Sequence, residues 1–406
     1  MRYLILVNTK YPYRVGETFL ESEIKENAGK FSKTIIFPVD VVYGEEKTRT
    51  VEAENVDVRA FETEQPKLRK IRSVLLSLLT LWKRKGSLKE RFFDGYFEIL
   101  AKRQAKKIIN ILEEYEFSPE DQIILYSYWF YIPARIIIEI RKYFEKNGIA
   151  TKTISRAHRF DIYEKNNNKG YLPQREYLLK EIDRVYACSK DGADYLRERY
   201  ETYKDKITVG LLGTYDYGIG TGSYRPFNVV SCSRVTSIKR VQMIADAILD
   251  LIARGYDINW THIGDGPEMD LVKKKVSKRL ETRIVLRGGI SNAEVFQFYR
   301  DNKVDLFVNA STSEGLPVSI MEAISFGIPS IATNVGGTRE IVVNGVSGQL
   351  VNCDITSGEL ADHIEKMLSM QRDDFENLRR KTRKFWEENY SAVDNYSKFA
   401  QQICEI

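Results

Sequence analysis

Short runs of apolar, often β-branched residues recur along the chain, separated by longer stretches in which apolar positions return every three or four residues. In the first half the short runs are Tyr3–Val7, Thr34–Phe37, Gln122–Tyr126, Thr151–Ser155, Arg184–Ala187 and Ile207–Leu211. Helical periodicity covers Glu17–Gly29, Asp94–Glu114, Ala134–Lys146 and Asp191–Tyr200. In the second half the runs are Asn228–Ser231, Asn259–Ile263, Arg283–Leu286, Leu306–Asn309, Ser330–Thr333 and Gly348–Val351, again with helical patterns between them. Strands that alternate with helices predict parallel sheets covered by helices on both faces. The pattern restarts after a glycine-rich stretch, Leu212 to Gly222. This predicts an α/β protein of two Rossmann-like, doubly wound domains: residues 1–212, a linker over 213–222, and residues 223–385. A final amphipathic stretch, Phe375 to Ile406, has a break near Trp386 and Tyr390. Its helix from 386 either packs in the second domain or crosses back to the first. Ligands of such sheets bind at the carboxyl ends of the strands, so two sheets facing each other would place a cleft between the domains.

Composition narrows the class. A chain of 406 residues exceeds one ordinary core, and 43% hydrophobic with 29% charged residues fits a soluble globular protein, not a disordered or fibrous one. The four cysteines (Cys188, Cys232, Cys353, Cys404) are isolated, with no Cys-x-x-Cys spacing. They read as free thiols in a reducing compartment, and a cytoplasmic location is expected. No apolar run is long enough to cross a bilayer. Met1 to Thr9 is too short for a signal peptide and reads as the first strand. Charge is uneven: residues 67–107 hold 13 Lys and Arg against Glu90, Asp94 and Glu98. Within this segment Ile71, Val74, Leu75, Leu78, Leu79 and Trp82 form a helical stripe flanked by Lys67, Arg69, Lys70, Arg72, Lys83, Arg84 and Lys85. One reading is a helix packed on the core with a solvated basic face; the other is peripheral contact with an anionic membrane. No nucleic-acid reader motif accompanies the charge.

The chemistry concentrates in Ser313 to Ala323, which follows a buried strand and opens a helix at Pro317. The free N–H groups of a first helical turn, approached closely at Gly315, make an anion site. Glu322, further along that helix, can accept ribose hydroxyls, and Glu314 in the loop can meet sugar hydroxyls. Two glutamates alone fit an ordinary surface loop equally well. Upstream, Arg234 and Lys239 flank the end of another buried strand, where two cations can neutralise a pyrophosphate or simply face solvent. Gly264-Asp265-Gly266-Pro267 and Gly336-Gly337-Thr338-Arg339-Glu340 are glycine turns of the kind that is more often structural.

Together these segments, spanning residues 228–351, resemble the C-terminal domain of family 4 retaining glycosyltransferases of the GT-B fold. The resemblance lies in Glu-x7-Glu (Glu314, Glu322), Arg-x4-Lys (Arg234, Lys239), Gly-Asp-Gly-Pro and Gly-Gly-x-x-Glu, in this order on a βα pattern. It implies that Arg234 and Lys239 hold the donor pyrophosphate and that Glu322 binds the ribose. It also implies that Glu314, with the backbone of Gly315, Leu316 and Val318, meets the transferred sugar and distal phosphate. In the first domain, Tyr11 to Phe19 resembles the loop leading into the first helix of one branch of the family, which implies that Gly16 approaches the donor phosphates. Ser155 to Tyr163 resembles the family's His-x-x-Asp loop, which puts His158 beside the donor sugar. His262 and His363 read as structural. The catalytic assignment is therefore His158, Glu314, Arg234 and Lys239. The chain departs from the family in having Arg240 where glycine is usual, Gly213-Thr214-Tyr215-Asp216 where Gly-Val-Asp is common, and a single glycine, Gly16, in the first loop.

The expected activity is retaining transfer of a sugar from a nucleoside diphosphate sugar, UDP favoured, to a glycan or polyprenyl-diphosphate-linked acceptor in surface polysaccharide synthesis. No Asp-x-Asp pair occurs, so neither metal nor cofactor is expected. A retaining glycoside hydrolase needs its carboxylates ~5–5.5 Å apart, whereas eight helical residues rise ~12 Å. A sugar-nucleotide epimerase of the same fold and a catalytically silent binding subunit stay open as alternatives.

Overall fold

The structure, a computed structural model, describes the chain except residues 15, 42–43, 52, 62–72, 79–80, 82–85, 168–169 and 278–281. It divides into two compact units: Met1–Leu212 with Ala392–Ile406, and Gly213–Ser391. Each is built on one parallel sheet.

In the first unit the strands are β1 (Arg2–Asn8), β2 (Lys33–Pro38), β3 (Val56–Val58), β4 (Gln122–Ser127), β5 (Thr151–Ala157), β6 (Arg184–Ala187) and β7 (Ile207–Val209). Their order across the sheet is β3-β2-β1-β4-β5-β6-β7. Alternate residues of β1 serve opposite cores: Tyr3, Ile5 and Val7 on one face, Leu4 and Leu6 on the other. That burial on both sides explains the unbroken apolar runs. The edge strand β3 was not expected, because three half-buried residues carry too little pattern. The helices are α1 (Thr18–Asn27), α2 (Leu88–Leu112), α3 (Ile132–Lys146), α4 (Arg159–Ile162), α5 (Arg175–Glu181) and α6 (Lys190–Arg199). Helix α2 starts six residues before the expected Asp94 because Ser87 and Glu90 form a reciprocal capping box.

The second unit holds β8 (Phe227–Cys232), β9 (Ile258–Ile263), β10 (Ile284–Leu286), β11 (Leu306–Asn309), β12 (Ser330–Thr333) and β13 (Gly348–Val351). The order is β10-β9-β8-β11-β12-β13. Its helices are α7 (Val241–Ala253), α8 (Met269–Val276), α9 (Asn292–Asp301), α10 (Val318–Ser325), α11 (Thr338–Ile341), α12 (Ser357–Leu368) and α13 (Arg372–Asn389). Trp260, Leu306 and Ile331 of the sheet pack with Ile244, Ile248 and Leu251 of α7 in one core. In both sheets the chain order reverses once, between β1 and β4 and between β8 and β11. Such switch points leave a crevice at the strands' carboxyl ends.

The glycine-rich stretch 213–222 is tied along the second unit. Gly220 N–H donates to the Phe326 carbonyl (2.9 Å), Arg379 to the Gly220 carbonyl (2.9 Å), and Trp386 Nε1 to Thr214 Oγ1 (2.8 Å). The expected start of the last segment, residue 386, lies inside α13; the chain leaves the second unit after Ser391. The final helix, α14 (Ala392–Cys404), belongs to the first unit, where Phe399 and Ile403 join Leu4, Leu6 and Tyr126. Below Phe399 lies a fully buried ion pair. Arg156 Nε donates to Glu23 Oε2 at 2.7 Å, its Nη1 to the Gly210 carbonyl at 2.5 Å, and the Phe399 ring centroid is 4.0 Å from the guanidinium. Tyr126 adds a hydrogen bond to Glu23 at 2.6 Å. Charges so buried persist only with this degree of satisfaction, and the pair ties α1, β5 and α14 together.

Of the basic segment, Ile71, Leu79, Trp82 and the cations Lys67, Arg69, Lys70, Arg72, Lys83, Arg84 and Lys85 lie outside the described residues. Residues 73–78 are helical, and the side turned inward is not the apolar one: Ser73 and Ser77 are buried while Leu75, Leu76 and Leu78 are exposed. Ser77 Oγ donates to the Phe92 carbonyl at 2.7 Å.

Candidate functional site

In the second unit the loops after β8, β9, β11 and β12 are stitched edge to edge. Ser233 N–H donates to the Ile263 carbonyl (3.0 Å) and Val235 N–H to that of Asp265 (3.0 Å). Thr312 N–H donates to the Ile238 carbonyl (2.8 Å), and Gly337 N–H to that of Gly315 (2.8 Å). The four motifs read from the sequence thus form one surface at the β8/β11 switch point. Glycine is required where backbones touch. A Cβ on Gly264 would lie 1.9 Å from the Ser233 carbonyl oxygen, and one on Gly336 2.1 Å from that of Glu314. Both also have positive φ. Gly336→Ala is expected to cost at least about 2 kcal/mol, read as a lower urea midpoint. It also displaces the Glu314 loop, so nucleotide binding falls in the same variant.

Within this surface Lys239 Nζ meets Glu314 Oε1 at 2.6 Å, and Asn309 Nδ2 donates to the same oxygen at 3.1 Å. Glu314 is buried and Lys239 half-buried. The lysine therefore balances a protein carboxylate, and an incoming diphosphate must share it or take it over. Arg234, five residues earlier in the same loop after β8, is exposed. Pro317 stands just before α10 instead of as its first residue. Helix geometry leaves the N–H groups of Val318 and Ser319 without intrahelical acceptors, beside Gly315 and Leu316. Glu322, on α10, is buried, and Asn292 Nδ2 donates to its Oε1 at 2.6 Å. Burial pushes the Glu322 carboxyl up to about 7, against the opposing hydrogen bond from Asn292. Arg240 adopts φ 48° and donates Nε–H to the Ala310 carbonyl at 2.5 Å. That bond ties the β8 loop to the end of β11.

His262 is buried inside β9. Its Nδ1 pairs with Ser231 Oγ at 2.8 Å, and burial lowers the ring to about 4. It is a packing residue, as expected. Among the described residues no three His, Cys, Asp or Glu side chains gather in a metal-holding group.

In the first unit the β1/β4 switch point has a comparable construction. Gly16 (φ 117°) faces open space, and its carbonyl accepts from Arg49 Nη2 at 2.8 Å. The next residue, Glu17, also has positive φ (52°) and sends its carboxylate back into the loop. It accepts from the backbone N–H of Thr9 (2.9 Å), Lys10 (2.8 Å) and Tyr11 (2.7 Å), and from Trp129 Nε1 (2.5 Å). Burial would raise this carboxyl, but these donors leave it below the usual range. Trp129 packs on the His158 ring with centroids 4.7 Å apart. His158 Nε2 lies 3.0 Å from the Tyr128 carbonyl oxygen and Nδ1 3.3 Å from Cys188 Sγ. A carbonyl only accepts, so Nε2 carries the proton and Nδ1 faces the thiol. Burial, then the charge of Arg156, pulls the imidazole down to about 3. The ring is neutral, with both nitrogens engaged. Asp161 Oδ1 accepts from His158 N–H (2.5 Å) and Oδ2 from Phe130 N–H (2.7 Å), which fixes the loop.

A family model described as glycosyl transferases group 1 matches residues 226–370, the span that carries the stitched loops. The second unit is a group 1 glycosyl transferase domain. Among curated relatives, the O-antigen biosynthesis glycosyltransferase WbnH of Escherichia coli is 29% identical over 222 residues, covering 54% of this chain and 60% of the relative. The first curated relatives align over about half of this chain and between 38% and 55% of their own length. Among solved structures, the lipopolysaccharide outer core galactosyltransferase WaaB in its apo form is 16% identical with a TM-score of 0.67, covering 100% of this chain and 99% of that one. Anabaena HepE in complex with UDP gives 16% and 0.67, with complete coverage of both chains. The fold is that of these GT-B proteins, two parallel-sheet α/β units.

Within the transferase domain, Lys239, Glu314, Gly315, Leu316, Val318 and Glu322 lie on one set of contiguous segments, with Arg234 on the rim. Gly16 and His158 belong to the first unit. Asn292 and Asn309 were missed. Asn309 had a faint signal, a polar residue ending a buried apolar strand. Asn292 had none, since it reaches Glu322 from a helix 30 residues away.

Proposed function

We propose that this chain is a retaining, metal-independent family 4 glycosyltransferase. It moves a sugar from a nucleoside diphosphate sugar to a glycan or polyprenyl-diphosphate-linked acceptor in surface polysaccharide synthesis. The observation that carries the reading is the Lys239–Glu314 pair, set beside exposed Arg234 and the first-turn N–H groups of α10, with buried Glu322 on the same helix. Cations and oriented N–H groups stabilise a leaving diphosphate as the glycosidic bond breaks. Arg234 and Lys239 provide the positive charge that a bridging metal provides elsewhere. Glu322 holds ribose hydroxyls, and Glu314 with Gly315, Leu316 and Val318 meets the sugar and distal phosphate.

His158 lacks a free lone pair in this geometry, so the leaving phosphate takes the acceptor proton and His158 stands beside the sugar. Gly16 is assigned to the donor phosphates by the resemblance of its loop. UDP is favoured because HepE was solved with it. Among the described residues no helix is long and apolar enough to cross a membrane. The exposed Leu75, Leu76 and Leu78 support peripheral contact with an anionic cytoplasmic leaflet. Failure to sediment with anionic vesicles at low salt would remove that part of the reading.

The test is nucleotide release from a panel of UDP-, GDP- and other nucleotide sugars with membrane extract as acceptor. Release from one donor, unaffected by EDTA and reduced about 100-fold in Glu322→Ala and Arg234→Ala, is expected, each lost contact to a charged group removing about 1.5–3 kcal/mol. Abolition by EDTA would overturn metal independence. Sugar converted while still on its nucleotide would make the protein an epimerase. No release and no nucleotide binding would make it a binding subunit.

A further inference from the structure

His158 is held from two sides by residues outside every motif that the sequence reading assigned to chemistry. Trp129 packs on one face of the ring (4.7 Å between centroids), and its indole N–H is anchored on Glu17 at 2.5 Å. At the edge of the ring is Cys188, the residue after β6, with its Sγ 3.3 Å from Nδ1. Three strand ends of the first unit, those of β4, β5 and β6, thus converge on one imidazole. The remaining ring nitrogen is spent on the Tyr128 carbonyl at 3.0 Å.

We propose that Cys188 is a positioning residue for the transfer reaction, its S–H donating to His158 Nδ1 and so fixing the Nε2–H tautomer and the ring plane against Trp129. The proposal rests on the reading of His158 as a residue beside the donor sugar. A neutral imidazole has two tautomers, and the partner of one nitrogen selects which is present. Here the carbonyl at Nε2 and the thiol at Nδ1 select the same one. Cys188 is 5% exposed, and burial holds its thiol up to about 12, so it remains a donor at neutral pH. Without the S–H, Nδ1 would lose its donor. The ring would then gain by turning away from the Tyr128 carbonyl, and Trp129 would lose the surface it packs on. Cys188 is not a nucleophile in this account, since the thiol is neither ionised nor exposed.

The test uses the full chain with 15N-labelled histidine. There are three histidines, so a His158→Asn sample assigns the signals. Cys188→Ala and Cys188→Ser are compared with the unsubstituted protein by imidazole 15N shifts and by donor turnover. The expected result is a single Nε2–H tautomer in the unsubstituted protein and in Cys188→Ser, whose hydroxyl can also donate. Cys188→Ala gives averaged shifts and a kcat about tenfold lower, with the KM for the nucleotide sugar within twofold. A merely structural cysteine would change stability in both variants without moving the tautomer. Unchanged His158 shifts in Cys188→Ala overturn the proposal, and so do altered shifts with unchanged kcat. If no nucleotide sugar turns over in the unsubstituted protein, the functional reading fails separately, and the nitrogen shifts alone decide whether Cys188 sets the ring.

Discussion

Glu322→Gln is expected to stabilise the protein at neutral and higher pH while disabling the donor site. Glu322 is buried, with one hydrogen bond from Asn292, and its carboxyl is pushed up to about 7. In the unfolded chain an ordinary glutamate titrates near 4.3. A carboxyl whose folded pKa is raised contributes its stability below the unfolded value and loses it as pH rises through the folded value. The cost of ionised Glu322 therefore grows between about pH 4.3 and 7 and levels off on the order of 3 kcal/mol. Glutamine keeps the acceptor for Asn292 and never ionises. The Tm difference, variant minus unsubstituted protein, should be small at pH 4.5 and several degrees positive at pH 8. Function moves the other way. A ribose hydroxyl donates more strongly to a carboxylate than to an amide, so kcat/KM for the nucleotide sugar falls about 10–100-fold, or about 1.4–2.7 kcal/mol. In the unsubstituted protein kcat/KM should fall as pH drops below about 7, and the variant should lack that limb. A variant equally active and no more stable at pH 8 would show that Glu322 is neither strained nor used.

The second large effect concerns Lys239. In Lys239→Met, Glu314 is left buried without its partner at 2.6 Å. Breaking a fully buried pair costs about 3–5 kcal/mol. Lys239 is half-exposed and Asn309 still donates, so about 1–3 kcal/mol is expected here. Turnover should fall about 10²–10³-fold, the usual effect of losing one group that stabilises transition-state charge. The double variant Lys239→Met/Glu314→Gln separates the two roles. It removes both charges and should recover most of the lost Tm, because no unpaired carboxylate remains. It should recover none of the turnover, because the diphosphate still lacks its cation. Recovery of both together would reduce Lys239 to a structural counter-ion.

These two residues also show why part of the site was legible. Lys239 and Glu314 follow strands and Glu322 lies on the next helix, so the βα pattern put them near strand ends, and the family resemblance then assigned their roles. The motif glycines, such as Gly264 and Gly336, were legible because close backbone contact leaves no other choice. The strands of the second unit followed for a related reason: burial on both faces writes continuous apolar runs. The short edge strand Val56–Val58 lacks that pattern. Asn292 was invisible because its contact is tertiary. The same holds for Glu17 and Trp129, which are 112 residues apart, and for His158 and Cys188, which are 30 apart. The sequence marked Gly16 as the residue to watch, yet its neighbour Glu17 organises that loop. Periodicity also grouped Leu75 and Leu78 in one apolar stripe, either packed on the core or facing a membrane. Ser73 and Ser77 are buried there instead, and the leucines are exposed.

The most direct test of the donor site is thermal unfolding of the full chain with UDP and a panel of other nucleoside diphosphates, in EDTA. A ligand that binds only the folded protein adds about 2.7 kcal/mol at 100 times its Kd. The account predicts a rise of several degrees with one nucleoside diphosphate, lost in both Arg234→Ala and Glu322→Ala. No shift with any nucleotide, or a shift undiminished in both variants, would contradict it.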